Sequence, residues 1–547
     1  MKQEQHLYFA LAIALAALLF NLNSYGVLEA SEARYAEISR EMFRSSNLLQ
    51  PSLLNIFHFH KPPVTFWLTG MGFQLFGVNA FGARFWLQIS LILQGILIYS
   101  IAQRLFGEKV RSVLAVVIYL SLPLSIVSAR NLTTDNFLTT SVLAVIYGMT
   151  VYYCQGQVWG IYVTALFIGI GFLTKAPAIF VVPFFYWCYL MFARRVKYRV
   201  PTKHLLISLV LCVTLGLSWF VLVAQQLPSL TDYFLVRQLV DRVLDAEAFD
   251  RTKPGWFYLL IFSTTTLPWF LVYLANLFRP GYGLLKNNDA VQLSLYWLLL
   301  PFIIYSLISS KLIMYLLPIY PGLAIVLASL ITQMNNSDLK WFTRMFIGFY
   351  WLIGAIALFA PFFVSVSGTD LIITWQMILS ALLVFAVPIL VYRLVSNNSR
   401  LRLGAIALFS MLSFTIYGGY LIGANELVFG GTRPLAKFIR DRGLENEPIL
   451  VYNKLLPSLA FNLDRDIIIL NNGGVERETQ FQINDEWKQY WIDLGEPASV
   501  EQLINLVQSP SVLVTKKRLP DEWSWIAQNY NQSKSLGKWT IYYSPSA

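Results

Sequence analysis

Between positions 29 and 41 the chain gathers four carboxylates and two guanidinium groups: Glu29, Glu32, Glu37 and Glu41 with Arg34 and Arg40. Tyr35 sits among them. A second polar knot, His58-Phe59-His60-Lys61-Pro62-Pro63, follows before the next long apolar run. Ionisable groups are expensive to keep near lipid, so their clustering beside apolar sequence marks a candidate site. A carboxylate there can take a proton from an incoming hydroxyl. Lysine or arginine in a partly dry pocket can neutralise and hold a phosphate. His58 and His60 stand two apart, so they share a face on a strand but not on a helix. With Glu32 nearby they could hold a divalent metal, or they could hydrogen-bond a ligand. No other cofactor is implied.

Further candidates lie far along the chain, at Thr134-Asp135, Thr174-Lys175-Ala176-Pro177, Arg251-Thr252-Lys253 and Ser310-Lys311-Leu312-Ile313-Met314-Tyr315. Each also has a plainer reading. Asp135 could cap a helix, and Lys175 and Lys311 could snorkel from apolar surface to water.

The elements that must position these residues are membrane helices. The 547 residues are 56% hydrophobic and 13% charged, against about 25% charged for an ordinary soluble domain. Apolar runs long enough to cross a bilayer recur near 7–24, 81–104, 109–128, 136–154, 157–173, 177–193, 205–225, 256–278, 290–309, 312–332, 342–365, 369–393 and 402–422. The pattern predicts an all-α polytopic membrane domain of about thirteen spans, with a first outer loop over 25–80 that carries interfacial helices. The first span has no small-residue cleavage site after it and is expected to remain as an anchor. Cationic loops around Arg104/Lys109/Arg111, Arg194–Lys203, Arg279/Lys286, Lys340/Arg344 and Arg393–Arg402 fall on one side, which makes the N-terminus cytoplasmic. An odd number of spans then sends the C-terminus outward. The net charge of +11 reads as a topology signal and does not imply nucleic acid. Cys154, Cys188 and Cys212 all lie in apolar runs and build no disulfide framework.

Composition shifts after Gly423. From 424 to 547 charges of both signs become frequent, and apolar runs at 448–452, 467–470 and 512–515 alternate with helix-like segments at 433–442 and 500–507. Strands spaced in this way predict a small α/β domain, outside the cytoplasm, following a membrane domain over 1–423. It contains no glycine-rich phosphate loop or nucleophile elbow.

On this topology Lys61, Lys175, Arg251 or Lys253, and Lys311 share the outer membrane face with Glu29, Glu32 and Asp135. Phosphate-holding cations beside a base suggest group transfer from a lipid-linked phosphate donor, since nucleotide sugars are not normally available on that side. A lipid-linked-sugar transporter is the alternative from another class. Transporters gather ionisable sites near the midplane and show repeated halves, and neither feature is evident here.

Glu32-Ala33-Arg34-Tyr35-Ala36-Glu37-Ile38-Ser39-Arg40-Glu41-Met42, then Lys61-Pro62-Pro63 with Trp67 and Leu75-Phe76-Gly77, resembles the first outer loop of the aminoarabinose lipid A transferase family. That family stands with the protein O-mannosyltransferases among the GT-C membrane glycosyltransferases. The resemblance continues in order through Thr134-Asp135, Phe172–Pro177, Pro268-Trp269 and Ser310-Lys311-Leu312 with Tyr315, Leu317-Pro318 and Pro321. It implies a polyprenyl-phosphate (undecaprenyl-phosphate) sugar donor whose phosphate meets Tyr35, Lys61 and Tyr315; the nearby cations Arg34, Arg251 or Lys253, and Lys311 are expected to join them. It also matches Asp135 to a family aspartate, which with Glu29 and Glu32 is expected to serve the acceptor, and it implies a bacterial inner-membrane location among membrane lipids. The acceptor would be lipid A, another glycan or a protein hydroxyl, the last making the chain a protein O-glycosyltransferase. His58, His60 and Lys175 complete the expected pocket. Two departures stand out. Ser31 replaces the aspartate that usually precedes Glu32, which moves the base role to Glu29 or Glu32, and His58-Phe59-His60 replaces the usual Tyr-x-Glu before Lys61.

Overall fold

The structure is a computed structural model and describes residues 18–194, 199–234, 253–278, 288–366, 369–395, 398–475, 481–482, 485–516 and 518–544. Arg251 and most of the first predicted span lie outside the described residues. Every later predicted span overlaps a helix or a bent helix pair. Among the described residues, 8 helices are long and apolar enough to cross a membrane, or up to 10 if each bent pair is one span. Two shorter apolar helices, Trp159–Lys175 and Ala178–Ala193, add to these. The chain is a multi-pass membrane protein.

Seven helices frame the site. α1 (Ser31–Arg44) carries Glu32 in its first turn and Arg44 in its last, the charge arrangement that a helix dipole favours. α2 (Val64–Phe76) can start only after Pro62-Pro63, since proline cannot donate within a helix. α3 (Ala80–Phe106) is capped by the Asn79 side chain, which accepts from Gly82 N at 2.9 Å, and it ends at Gly107 with φ 70°. α4 (Lys109–Ser121) and α5 (Pro123–Arg130) form one apolar run bent by 61°, with Pro123 opening the second helix. α6 (Thr134–Gln155) follows. Its antiparallel neighbour is α7 (Trp159–Lys175), which returns Lys175 to the level of Asp135.

α6 and α7 approach closely because glycine faces glycine. A Cβ on Gly148 would lie 2.6 Å from Gly160 O, and one on Gly160 would lie 2.4 Å from Gly148 O. Small residues at such crossings let membrane helices pack through their backbones.

The C-terminal part holds a six-stranded sheet of β1 (Ile449–Tyr452), β2 (Ile468–Asn471), β3 (Trp491–Asp493), β4 (Val512–Thr515), β5 (Gln532–Leu536) and β6 (Trp539–Tyr543), in the order β3-β2-β1-β4-β6-β5. The first four strands are parallel, and β6 joins β4 and β5 antiparallel. α8 (Arg433–Asp441), α9 (Pro457–Leu463) and α10 (Pro497–Gln508) complete this small α/β domain. β1, β2, β4, α8 and α10 fall on the segments expected from sequence.

Apolar residues of the loop 25–80 and of the C-terminal α/β domain share one core: Ile38, Met42, Leu53 and Phe66 pack with Leu435, Leu459, Val451 and Val514. The C-terminal α/β domain is therefore seated on α1 and α2.

Candidate active site

α1 presents two different faces. Ser31, Arg34, Tyr35 and Ile38 follow i, i+3, i+4, i+7 spacing, so one side of the helix carries them all, and all four line a cavity of about 550 Å³. Glu37, Arg40, Glu41 and Arg44 repeat the same spacing on another side. There Arg40 Nη2 donates to Glu37 Oε1 at 2.7 Å, and Arg40 Nη1 reaches Asp464 Oδ1 at 3.2 Å. Asp466 lies 3.5 Å from both Arg40 and Arg44.

Glu41 holds the next element. Its Oε1 accepts from Leu54 N at 2.6 Å, and its Oε2 accepts from Ser52 Oγ at 2.6 Å and from Asn55 N at 3.2 Å. Leu54 and Asn55 have φ of 52° and 63°, a left-handed turn that is unfavourable for a branched side chain such as Leu54. The carboxylate thus stabilises a tight hairpin pairing Leu53 with Ile56. Burial, and then the charge of Glu37, push the Glu41 carboxyl up to about 8. The hairpin delivers His58, His60 and Lys61 to the cavity. The two imidazoles lie on the same side with ring centroids 3.8 Å apart, as their i, i+2 spacing requires on extended chain.

The membrane helices supply the other wall. The break between α4 and α5 brings Pro123, Leu124 and Val127 to the cavity, and the following turn adds Asn131, Thr133, Thr134 and Asp135. Asp135 lies in the first turn of α6 but does not cap it: the N-cap is Thr133. Its Oδ1 instead accepts from Lys175 Nζ at 2.6 Å. Lys175 Nζ also sits 4.2 Å from the centre of the Tyr315 ring, a cation–π contact. Leu312, Ile313, Met314 and Tyr315 line the cavity where a 3-10 turn opens the next helix. Thr265 joins them from the end of the helix Phe257–Thr265, whose bent pair with Trp269–Leu277 turns by 112°. Cations, hydroxyls, imidazoles and a carboxylate therefore converge on one chamber, which could hold an anion and a nucleophile side by side.

Several expected site residues lie elsewhere. Glu32 is buried away from the chamber, where Arg84 grips it with Nε and Nη2, each at 2.8 Å. Leu28 N and Leu132 N also donate to Glu32, at 2.9 Å and 3.3 Å. Arg84 uses its remaining donors on the carbonyls of Leu22, Tyr25 and Gly26. Glu32 is a joint between the loop and α3, with no oxygen left over for a substrate. It is also unavailable to His58 and His60, and among the described residues no group of three His, Cys, Asp or Glu side chains could hold a metal. Glu29 points towards the C-terminal α/β domain, where its Oε1 accepts from Ser458 N at 2.8 Å. Burial pushes its carboxyl up to about 7, against the pull of Ser458, Lys454 and Arg34. Lys311 is 4% exposed and donates to the Lys253 carbonyl at 3.2 Å, so it braces the backbone there, while the Lys253 side chain is exposed.

Sequence reasoning missed Arg84, Thr265 and Asn131. It also missed the positioning role of Glu41, for which the Leu54-Asn55 turn was the available signal.

A helical membrane part joined to a small C-terminal α/β domain is the fold class that the sequence resemblance implied. Residues 60–219 match the family described as dolichyl-phosphate-mannose-protein mannosyltransferase. The chain is 27% identical over 372 residues to undecaprenyl phosphate-alpha-4-amino-4-deoxy-L-arabinose arabinosyl transferase 2 of Pseudomonas fluorescens (strain Pf0-1), covering 65% of this chain and 66% of that one. It is 29% identical over 340 residues to the corresponding arabinosyl transferase of Yersinia pestis (strain Pestoides F), covering 59% and 60%. The matched region thus spans less than two thirds of these relatives' length. The fold matches the crystal structure of ArnT from Cupriavidus metallidurans in the apo state with a TM-score of 0.78 over 99% of this chain and 98% of that one. The same protein bound to undecaprenyl phosphate gives 0.75 over 98% of each chain. Identity to both is 19%, so this likeness is one of fold.

Proposed function

We propose that this protein is a glycosyltransferase that moves a sugar from a polyprenyl-phosphate carrier to an envelope acceptor such as lipid A. It would work at the outer face of a bacterial inner membrane, with its N-terminus in the cytoplasm. The observation that carries the reading is the chamber itself, where Arg34, Lys61 and Lys175 gather with Asp135 between the membrane helices and the loop 25–80. The relatives named as undecaprenyl-phosphate-dependent arabinosyl transferases support the same donor class.

Lys61, Arg34, Tyr35 and Tyr315 hold the carrier phosphate. That phosphate is already a competent leaving group, so the work left to the protein is positioning and charge stabilisation. Asp135 is the base. Lys175 donates to its Oδ1, and an anion arriving beside Lys175 competes for that ammonium. The exchange frees the carboxylate to take a proton from the acceptor as the sugar is transferred. Ser31 lines the chamber in place of a carboxylate and leaves Asp135 as the carboxylate among the described lining residues. Glu29 belongs to the acceptor side.

The test is polyprenyl-phosphate binding and sugar transfer by the purified protein in lipid nanodiscs. Lys61→Ala is expected to weaken carrier binding about 10- to 150-fold, the range of one charge-assisted contact. Asp135→Asn is expected to keep carrier binding and lose roughly 10²-fold or more in turnover. Movement of the intact carrier lipid across the bilayer without sugar transfer would establish a transporter instead.

A further inference from the structure

The parallel strands of the outer domain run β3-β2-β1-β4, so the order reverses at β1: β2 and β3 extend to one side and β4 to the other. In open parallel sheets ligands bind outside the carboxyl ends of the two strands that flank such a switch point. Here the chain leaving each of those strands carries a lysine. Lys454 follows β1 by two residues, and Lys516 follows β4 directly. β6 pairs Thr540 with Thr515, so Lys538, just before Trp539, comes to the same end of the sheet.

Lys454 Nζ lies 5.9 Å from the centre of the Trp539 ring, and its side chain meets that of Lys516. Three ammonium groups are thus held together by the strands. Burial, and then the charge of Lys516, lower both Lys454 and Lys538 from the ordinary lysine range. The carboxylate that acts on Lys454 is Glu29, whose own neighbours include Arg34 of the chamber wall. The crevice and the chamber therefore meet at Glu29.

A cluster of like charges at a switch-point crevice is the complement of a compact polyanion. The carrier phosphate has its own cations at the membrane end of the site, so the crevice suits a different anion. We propose that Lys454, Lys516 and Lys538 form a second anion site that binds a phosphate group of the acceptor, a phosphorylated glycolipid, and so present its reacting end to the chamber. This rests on the transferase reading above, and it names the chemical class of the acceptor. Glu29 is the gate between the two anion sites, since its charge is the one that competes with the acceptor phosphate for Lys454.

The experiment uses the full chain in phosphatidylcholine nanodiscs, with native mass spectrometry to measure retention of bisphosphorylated lipid A and of lipid A stripped of its phosphates. A triple variant, Lys454→Gln with Lys516→Gln and Lys538→Gln, is expected to retain the phosphorylated lipid about tenfold less or weaker and to bind polyprenyl phosphate normally. The corresponding triple Lys→Arg variant should keep both. Unchanged retention in the Gln variant overturns the site. Equal loss of phosphorylated and dephosphorylated lipid also overturns it, because the lysines would then be supporting the domain. Lys516→Glu alone, on an exposed side chain, gives the same comparison if the triple variant does not fold. Retention of inorganic phosphate as strong as that of the lipid would overturn the glycolipid assignment in favour of a free-anion site. Absence of sugar transfer by the unaltered protein, with lysine-dependent lipid retention intact, would instead defeat the transferase reading alone.

Discussion

Glu32 and Arg84 separate what a residue's type can tell from what its partner decides. Glu32 stands in a motif-bearing loop and has the chemistry of a base, yet Arg84, 52 positions away, takes both of its oxygens. Nothing in the periodicity of either segment links them, so that assignment was not legible in the sequence. Breaking a buried pair by removing one partner costs about 3–5 kcal/mol. Glu32→Gln is therefore expected to lower the thermal midpoint in detergent sharply, while the protein that survives still binds the carrier lipid. A stable Glu32→Gln protein with lost turnover would return Glu32 to the chemistry. Glu29 carries a different prediction. Its folded carboxyl is raised from 4.5 to about 7, so the native state holds a proton that the unfolded chain has released. Stability therefore falls as pH rises from 4.5 through about 7. Glu29→Gln should flatten that part of the stability profile in denaturation scans across the window. The chamber residues Arg34, Tyr35, Lys61, Asp135, Lys175 and Tyr315 were legible, because each stands in a polar interruption of apolar sequence.

Two elements behave differently from their reading as simple spans. Runs 109–128 and 256–278 have the length and composition of straight membrane helices, but the structure bends them by 61° and 112°. The physical cause was written in the chain, as Pro123 opens α5 and Pro268 precedes Trp269. Both breaks fall at the chamber, where irregular backbone can be satisfied away from lipid. β5 was missed for the opposite reason. Gln532–Leu536 is exposed along nearly its whole length, so it shows no apolar alternation to read. At this scale the α6–α7 crossing is the most sensitive joint. Gly148→Leu would drive a side chain into Gly160 O, Thr164 Oγ1 and Thr164 N, all under 3.0 Å from a Cβ there. α7 must then move outward and carry Lys175 from Asp135. Turnover is expected to fall at least tenfold, about the value of a lost charge-assisted contact, with the helical content by circular dichroism unchanged.

For the whole molecule, the expectation from the charged loops is that the outer domain and the loop 25–80 share the side opposite Lys340. A cysteine at Ser509, on otherwise cysteine-free protein, should react with an impermeant thiol reagent added to intact spheroplasts, and one at Ser337 should not. Labelling of Ser337→Cys alone would invert the topology and set the chamber on the wrong face. The presence of a membrane part and a C-terminal α/β part was legible from composition, but their joint was not, because it is made of residues far apart in sequence. Arg40 of α1 binds Glu37 beside it and Asp464 lying 424 positions later, and Arg44 adds Asp466. This has a consequence for how the protein is made. A ribosome adding about 5–20 residues per second needs roughly 20–80 s to travel from one partner to the other. The loop that carries one wall of the chamber is thus made long before the segment that clasps it exists. During that interval Arg40 and its carboxylate neighbours await that segment, and the earliest moment at which a newborn chain can become competent is the arrival of its α/β domain.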